Sequence, residues 1–171
     1  MIITLLEFKK FLGIPAADTA NDDKLTKLLT AAYKNAEGFN DRVYDNADYT
    51  EYQSFGQDAV KRIYTKNIPI VTLTSLTIND SVRTVDEDYY LDEKAKGLII
   101  LESEHDLTNA RSVKIEYNAG WTALTFPKDL EEAIFKLAVR TDKLTQGTII
   151  QTGDTILTFS KKEIYDVLER Y

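Results

Sequence analysis

The sequence predicts an α+β protein, mainly an α-helical bundle with an inserted small antiparallel β-sheet and a C-terminal hairpin plus short helix. Apolar residues recur at three- and four-residue steps near both ends of the chain, which is the period of an amphipathic helix. The middle, about residues 50–118, contains short β-type runs separated by Asp, Asn and Gly. Helices with one apolar stripe each must pack together, so we expect the sheet to be inserted between them.

Three main helices are predicted. In the first, Thr4 and Glu7 form a capping box, in which each side chain satisfies a free backbone N–H of the other residue. The second carries one apolar stripe, Leu25, Leu28, Leu29, Ala32, Ala36 and Phe39. The third begins at a proline, as helices often do, and its stripe comprises Leu130, Ala133, Ile134, Leu137, Ala138 and Leu144. We expect these two stripes to pack on each other. The predicted bounds are 4–12, 22–41 and 127–144.

The inserted segment contains five β-type runs, whose close spacing favours antiparallel pairing. The residues before them, Tyr44–Tyr52, are rich in Asp, Asn and Tyr, which is typical of a loop leading into a strand. A turn is predicted at Asn79-Asp80. The five runs are Ala59–Tyr64, Ile70–Ile78, Tyr89–Leu91, Leu98–Leu101 and Val113–Tyr117.

We expect one main domain, residues 1–145, followed by an arm, residues 146–171. The arm begins with a polar hairpin around Thr152-Gly153-Asp154 and ends with a short helix. Both elements are weak in isolation, so the arm is expected to become ordered on a partner. The alternative is that it folds back onto its own domain. The predicted assembly interface comprises Phe159, Ile164, Val167, Leu168 and Tyr171.

Composition excludes several classes of function. The net charge is −7, from 21 basic and 28 acidic side chains, so the chain lacks the excess of Lys and Arg that nucleic-acid binding requires. It has no cysteine, which excludes disulfides and a thiol nucleophile. No apolar run approaches the length of a membrane-spanning helix, and we expect no membrane partner.

The sequence contains no recognisable catalytic motif. It lacks a glycine-rich phosphate-binding loop and a G-x-S-x-G nucleophile motif, so we expect no enzyme activity, no cofactor and no metal. The single histidine, His105, is interpreted as a solvated turn residue; the alternative is a general base, or half of a metal site with Glu104 and Asp106. Two acidic groups are also interpreted as solvated: Asp41, Asp45, Asp48 and Glu51 as a loop, and the run Asp86–Asp88 as an exposed turn.

The ten tyrosines are many for a chain of this length. Tyrosine is common in strands and at protein interfaces, where one side of the ring is dry and the other wet. We therefore interpret them as sheet-packing and interface residues. The alternative is a ligand- or carbohydrate-binding, or hydrolytic, module whose site lies on the β insertion. Its candidate residues are Tyr44, Tyr49, Tyr52 and Tyr64.

Several segments follow one another in an order typical of a single family. They are Leu5–Leu12 with Asp22–Asn40, the Pro-led strand Asn67–Leu76, the strand end Tyr117-Asn-Ala-Gly-Trp121, the helix start Pro127-Lys-Asp-Leu-Glu-Glu-Ala133, and Ile150-Gln-Thr-Gly-Asp154 with the tail Ile164–Tyr171. Over nearly the whole chain this pattern resembles the head–tail connector (adaptor) proteins of tailed bacteriophages.

The resemblance implies a structural role without a reaction. Residues 1–145 would be the connector domain, and copies of the chain would form a ring, twelvefold in the virion, beneath the portal protein. The ring would extend the DNA channel, through which DNA passes without specific binding, and would dock the next neck or tail protein. The implied location is the virion neck, after assembly in the cytoplasm of the host bacterium. Another tail-completion role is the structural alternative.

Overall fold

The computed structural model describes residues 1–55, 61–102, 107, 112–144 and 161–171. The chain divides into two compact units. One, named here the helical unit, comprises Met1–Arg42 and Thr122–Tyr171; the other, the β unit, comprises Val43–Trp121. The described elements are α1 (Leu5–Phe11), α2 (Asp22–Asn40), β1 (Ala47–Gln53), β2 (Arg62–Tyr64), β3 (Ile70–Ile78), β4 (Ser81–Arg83), β5 (Tyr89–Glu93), β6 (Leu98–Leu101), β7 (Val113–Ala119), α3 (Lys128–Leu144) and α4 (Lys161–Leu168).

Helix α1 begins with the predicted capping box. The Oγ1 of Thr4 accepts a hydrogen bond from the Glu7 backbone N–H at 3.2 Å, and the Thr4 N–H donates to the Glu7 carboxylate at 3.0 Å. Phe8 is buried and stacks on Phe135 of α3, with ring centroids 5.3 Å apart. The short helix is therefore held by its cap at one end and by aromatic packing along its inner face.

A buried lysine orders the connection between α1 and α2. Lys9 is 2% exposed, and its Nζ donates to the carbonyl oxygens of Ala16 (3.1 Å) and Asp18 and to the Asp22 carboxylate (2.8 Å). An ammonium group has three N–H donors, so each finds an acceptor. Burial of the charge is tolerable only because of this pairing, which fixes the loop to the start of α2.

Helices α2 and α3 pack against each other, as their apolar stripes predict. Tyr33 of α2 also stacks on Phe126, just before α3, with centroids 6.3 Å apart. No described helix is both long and apolar enough to cross a membrane. The buried stripe residues are Leu25, Leu28, Leu29, Ala32 and Ala36 on α2 and Leu130, Ala133, Ile134, Leu137 and Ala138 on α3.

Truncation of Leu29 to alanine should lower the stability of the helical unit clearly. Leu29 is fully buried, and removing a buried leucine side chain costs about 2–5 kcal/mol, because burial is lost and a cavity remains. Thr30→Ala is the matched control, since Thr30 is exposed on the same helix. Thermal and denaturant melts of both variants test this; a Leu29→Ala variant that melts like Thr30→Ala would contradict the described core.

The described residues of the β unit form two antiparallel sheets. The strand order is β1-β7-β3-β4 in the four-stranded sheet and β2-β6-β5 in the three-stranded sheet. Most of the buried apolar residues described in this unit form one cluster, so the β unit has a hydrophobic core of its own. Its members are Ile63, Ile70, Leu76, Ile78, Tyr89, Ile99, Leu101, Leu107, Val113, Ile115, Tyr117 and Ala119.

The predicted fold class, a mainly α-helical bundle with a small inserted sheet, is wrong. The described part of the chain has four α-helices and seven strands in two antiparallel sheets. Strand β1 lies within a stretch predicted to be mostly loop, and β4 follows the Asn79-Asp80 turn. Both are edge strands with mostly exposed or half-buried residues, so they lack the apolar alternation by which a strand is recognised in a sequence.

The β unit is closed where its first and last residues meet. The Trp121 N–H donates to the Tyr44 carbonyl at 2.9 Å, and the Asn46 N–H donates to the Trp121 carbonyl at 3.0 Å. The buried Tyr44 ring packs edge-on against Trp121, with centroids 5.7 Å apart. Gly120 has a φ of 105° and donates to the Pro69 carbonyl at 3.0 Å. Gly120 and Trp121, the last two residues of the Tyr117-Asn-Ala-Gly-Trp121 motif, therefore hold the first and last residues of the β unit together.

Candidate assembly interface

The five predicted assembly residues differ in burial, and one of them lies outside the described residues. Ile164 and Leu168 are buried, because α4 lies against α3 and, to a smaller extent, α2. Val167 and Tyr171 are half-buried. Phe159, with the rest of the predicted hairpin, lies outside the described residues. Two of the five residues thus hold α4 on its own helical unit, and the assignment of the set to an interface between chains stays a prediction.

Tyr171 fastens the end of α4 to the start of α3. Its hydroxyl donates to the Asp129 carboxylate at 2.7 Å, and Arg170 lies 3.7 Å from the same carboxylate. Arg42 donates to the main-chain oxygen of Tyr171. Burial, with the hydrogen bond to Asp129, raises the pKa of Tyr171 to about 12. Leu168 and Tyr171 therefore help to hold α4 on its own helical unit.

Tyr171→Phe should weaken α4 docking by about 1 kcal/mol, the usual value of one hydrogen bond. The ordinary tyrosine pKa is 10.0 and the folded value is about 12. The protonated hydroxyl is therefore favoured in the folded state, and its contribution is complete below pH 10 and lost as the pH rises through 12. Denaturant melts should show a stability difference from wild type that shrinks over this interval; a pH-independent difference would contradict the Tyr171–Asp129 bond.

An open groove of about 500 Å³ lies beside α4. It is lined by Phe39, Lys162, Tyr165 and Glu169. Phe39 is 46% exposed, and its ring meets Tyr165 edge-on with centroids 4.9 Å apart. In the sequence, Phe39 is only the last residue of the apolar stripe of α2. It lines a groove because α4 docks beside it. An exposed aromatic ring with a charged margin is typical of protein-binding surfaces.

A polar network in the β unit connects Glu51, Asn67 and Tyr117. The Tyr117 hydroxyl donates to the Glu51 carboxylate and accepts from the Asn67 N–H at 3.2 Å. The Glu51 carboxylate also accepts from the Lys66 N–H at 2.9 Å, and the Asn67 side-chain oxygen from the Val43 N–H at 3.1 Å. Burial, assisted by the bond to Glu51, raises the pKa of Tyr117. The network ties the loop before β3 to β1 and β7.

Three of the acidic residues after α2 have separate structural roles. Asp41 is the left-handed C-cap of α2, Asp48 accepts from the Asn118 amide at 2.8 Å, and Glu51 belongs to the polar network. Among the described residues, no group of three or more His, Asp or Glu side chains is placed to hold a metal ion. His105 lies outside the described residues, so its interpretation stays a prediction.

The run Asp86–Asp88 forms a turn before β5, as predicted. The Thr84 N–H donates to the Asp88 carboxylate at 2.7 Å, and Asp86 has a φ of 63°. Aspartate tolerates this left-handed conformation better than most residues do. Burial, together with Asp86 and Asp88, raises the pKa of Tyr89. The Asp88 carboxylate therefore stabilises this turn.

The four tyrosines considered for a ligand site serve separate roles. Tyr44 packs on Trp121, and Tyr49 packs on Tyr117 with centroids 5.6 Å apart. Tyr52 and Tyr64 are 71% and 54% exposed. Two of the four are therefore sheet-packing residues, as interpreted from the sequence, and the interface role of the exposed pair stays a prediction.

Comparison with known proteins identifies the family. The sequence matches the head completion protein family (HCP) over residues 1–164, so the chain belongs to that family. No curated protein matches the sequence. The family match, with the structural similarities below, confirms the resemblance to phage head–tail connector proteins.

Three solved structures from gene transfer agent (GTA) particles contain chains with a similar fold. The neck of the empty particle computed with C6 symmetry gives a TM-score of 0.64 at 19% identity, covering 99% of this chain and 88% of that one. The virion of the native particle gives 0.66 at 19%, with coverage of 99% and 88%. The neck of the native particle computed with C12 symmetry gives 0.61 at 18%, with coverage of 99% and 87%. At this identity the similarity demonstrates a shared fold.

Proposed function

We propose that the chain is a structural neck subunit that forms a ring beneath the phage portal, extends the DNA channel and docks the next neck or tail component. The observation that carries the proposal is the family match across residues 1–164. The fold similarity to chains in particle necks computed with sixfold and twelvefold symmetry supports a ring. The proposed partners are other copies of the chain, twelve in the virion, the portal protein and a downstream neck or tail protein.

In this proposal, α4 holds the C-terminal part of the arm, residues 146–171, on the helical unit. Ile164 and Leu168 are buried within the helical unit, and partners are proposed to contact the outer side of α4 and the groove beside it. In this proposal Phe159, Val167 and Tyr171 contribute to contacts with neighbouring chains. The role needs no catalytic group, cofactor or metal, and the location is the virion neck after assembly in the bacterial cytoplasm.

The distribution of charge supports passage of DNA without binding. The β unit has eight basic and fourteen acidic side chains, so it carries −6 of the net charge of −7; the helical unit, with thirteen and fourteen, is nearly neutral. A surface with excess acid releases few counterions on contact with DNA and therefore gains little affinity. We propose that DNA slides past such a ring rather than adhering to it.

Assembly of the purified protein with the portal tests the function. The chain should join the portal as a closed ring, seen by sedimentation and by electron microscopy of the assembled neck. A twelvefold ring under the portal is the expected result. A chain that never associates with itself or with the portal, at any salt concentration, would contradict the proposed neck role.

Duplex DNA should not bind the purified protein measurably at physiological salt. The physical reason is the missing excess of Lys and Arg, since phosphate contacts supply most non-specific affinity. Gel-shift and fluorescence-anisotropy titrations across a range of salt concentrations test this. A salt-sensitive shift at low micromolar protein would contradict the expectation of a non-adhesive channel.

A further inference from the structure

We propose that Arg83 of β4 binds a carboxylate, an aspartate or glutamate side chain of a different neck protein, at the edge of the four-stranded sheet. The inference rests on the proposed neck function and specifies one contact by which the subunit recognises a partner. It is carried by a guanidinium group whose Nε–H has no acceptor among the described residues, and by the exposed apolar residues near it.

The guanidinium of Arg83 is not used by the part of the subunit that the structure describes. Its Nε is buried and makes no hydrogen bond there, and no described carboxylate forms an ion pair with it. By contrast, Lys114 of the same sheet pairs with Glu116 at 2.6 Å. A buried N–H without an acceptor is unfavourable and is rare in folded proteins. Arg83 is therefore a donor for which the described fold supplies no partner.

The backbone that carries Arg83 is fixed on both sides. Arg83 lies opposite Leu76 of β3, so the two side chains share one face of the sheet, and Leu76 is fully buried. Before β4, the Asn79-Asp80 turn has φ values of 47° and 66°, as a tight hairpin turn requires. After β4, the Thr84 N–H donates to the Asp88 carboxylate at 2.7 Å, and the Asp88 N–H donates to the Thr84 carbonyl at 2.9 Å. A side chain on such a preorganised segment loses little conformational freedom on binding.

The shape of the guanidinium determines which ligand it takes. The group is planar, carries a permanent positive charge and presents its N–H donors as a fork that matches the two oxygens of an oxyanion. Arg83 as a whole is half-buried, so part of the residue lies at the surface, within reach of a ligand. The chemistry at this position therefore requires a negatively charged group with two acceptor oxygens, such as a carboxylate or a phosphate.

The surroundings of Arg83 favour a protein carboxylate over a phosphate of DNA. Val82 is 70% exposed and Val85 is 54% exposed, so apolar surface lies close to the arginine in the chain. An arginine among apolar side chains is typical of the central part of a protein–protein contact, whereas a DNA backbone offers no apolar surface to cover the valines. The acidic run Asp86–Asp88 also follows within a few residues, and it repels a polyanion more strongly than a single carboxylate.

Charge favours a different protein over a second copy as the source of the carboxylate. Each copy has a net charge of −7, and most of this excess lies in the β unit that carries Arg83. Two such surfaces repel each other, which opposes a contact that brings further acidic residues of a second copy to this edge. A different protein needs to supply only the one carboxylate, on a surface whose remaining charge is neutral or basic. The occupant we assign is therefore an acidic side chain of the portal or of the next neck or tail protein.

Titration with acetate tests the site on the purified chain. Acetate supplies the carboxylate alone, and the NMR resonance of an arginine Nε–H reports on its hydrogen bonding. The Arg83 resonance, assigned with Arg83→Gln, should shift with acetate and reach saturation. Arg62 is an exposed arginine of the same unit, and its resonance should move little and without saturation. An Arg83 resonance that does not respond to acetate, or responds equally to chloride at the same ionic strength, would overturn the proposal.

Two matched substitutions test the contact in the assembly. Arg83→Gln should weaken incorporation into a neck formed with the portal and the downstream protein at least about tenfold, the effect of losing a hot-spot residue. Arg62→Gln makes the same change at an exposed position of β2 and should be incorporated nearly normally. Both isolated variants should melt close to wild type, because the described fold gives the guanidinium of Arg83 no partner to lose. A clear fall in the melting temperature of Arg83→Gln would indicate a structural role instead.

The outcomes separate this contact from the neck function. If Arg83→Gln enters the neck as well as wild type does, the Arg83 contact is wrong while the neck function stands. A wild-type chain that never associates with itself or with the portal overturns the neck function, and with it the assigned partner. If Arg83→Gln loses only self-association, the carboxylate belongs to a second copy, and the assignment to a different protein is wrong. It is equally wrong if a short DNA duplex at physiological salt shifts the Arg83 resonance as acetate does.

Discussion

Replacing Gly120 with alanine is expected to destabilise the β unit severely. Gly120 has a φ of 105°, and a Cβ there would lie 2.7 Å from the Asp45 carbonyl oxygen and 2.9 Å from that of Tyr44. The backbone conformation alone costs a residue with a Cβ about 1–3 kcal/mol. The clash adds to this, because the atoms that must move are main chain in the closure of the β unit. Denaturant melts should show the loss.

Gly38→Ala is the matched control. Gly38 lies in α2, and a Cβ there would meet nothing within 4 Å. Alanine has a higher helix propensity than glycine and a smaller unfolded-state entropy, so this variant should gain up to about 1 kcal/mol. The same chemical change thus has opposite expected signs at two positions. A Gly120→Ala variant as stable as wild type would mean that the closure is not as described.

The second large effect is expected from Ile164→Ala combined with Leu168→Ala. Both side chains are buried where α4 meets α3 and α2, and each truncation costs about 2–5 kcal/mol if the helix stays docked. Release of the helix would limit the total loss, because an undocked α4 no longer contributes. We therefore expect a clear fall in the melting temperature of the isolated subunit, with faster amide hydrogen exchange in α4.

Asp166→Ala is the control for this pair, since Asp166 is exposed between the two buried positions. It should melt close to wild type. The double variant separates the two roles considered for the C-terminal segment. If the isolated double variant melts like Asp166→Ala but fails to assemble, the helix acts on a partner chain rather than on its own unit.

The helices were predictable from the sequence because their stabilising interactions are local or periodic. The capping box of Thr4 and Glu7 spans three residues, and the stripe of α2 repeats at the helical period. The docking site of α4 was not predictable in this way. It depends on Asp129 and Arg42, which are far from Tyr171 in the sequence and become partners only through the fold.

The size of the sheet structure in the β unit was underestimated because strand pairing also depends on residues far apart in the sequence. Strand β3 has register shifts between Ile70 and Thr72 and between Leu73 and Ser75. These shifts interrupt the alternation of side chains between the two faces of the sheet, so the face of each residue cannot be assigned from the sequence alone. Strand β1 is recognisable mainly by its pairing with β7, which runs from Ala47 opposite Ala119 to Gln53 opposite Val113. A partner 60 or more residues away leaves no local signal. The groove beside α4 is likewise a product of tertiary packing.

The chain order of the two units has a consequence for synthesis. Helices α1 and α2 leave the ribosome before the β unit, whereas their partners α3 and α4 come after it. The β unit is one uninterrupted segment and can complete its core first, since domains fold as units while the chain emerges. The stripe around Leu25 and Leu29 must then wait for α3 for a time on the order of ten seconds at ordinary elongation rates. The helical unit is therefore the last part of the molecule to be completed, and its uncovered apolar face is where a nascent-chain chaperone would be needed.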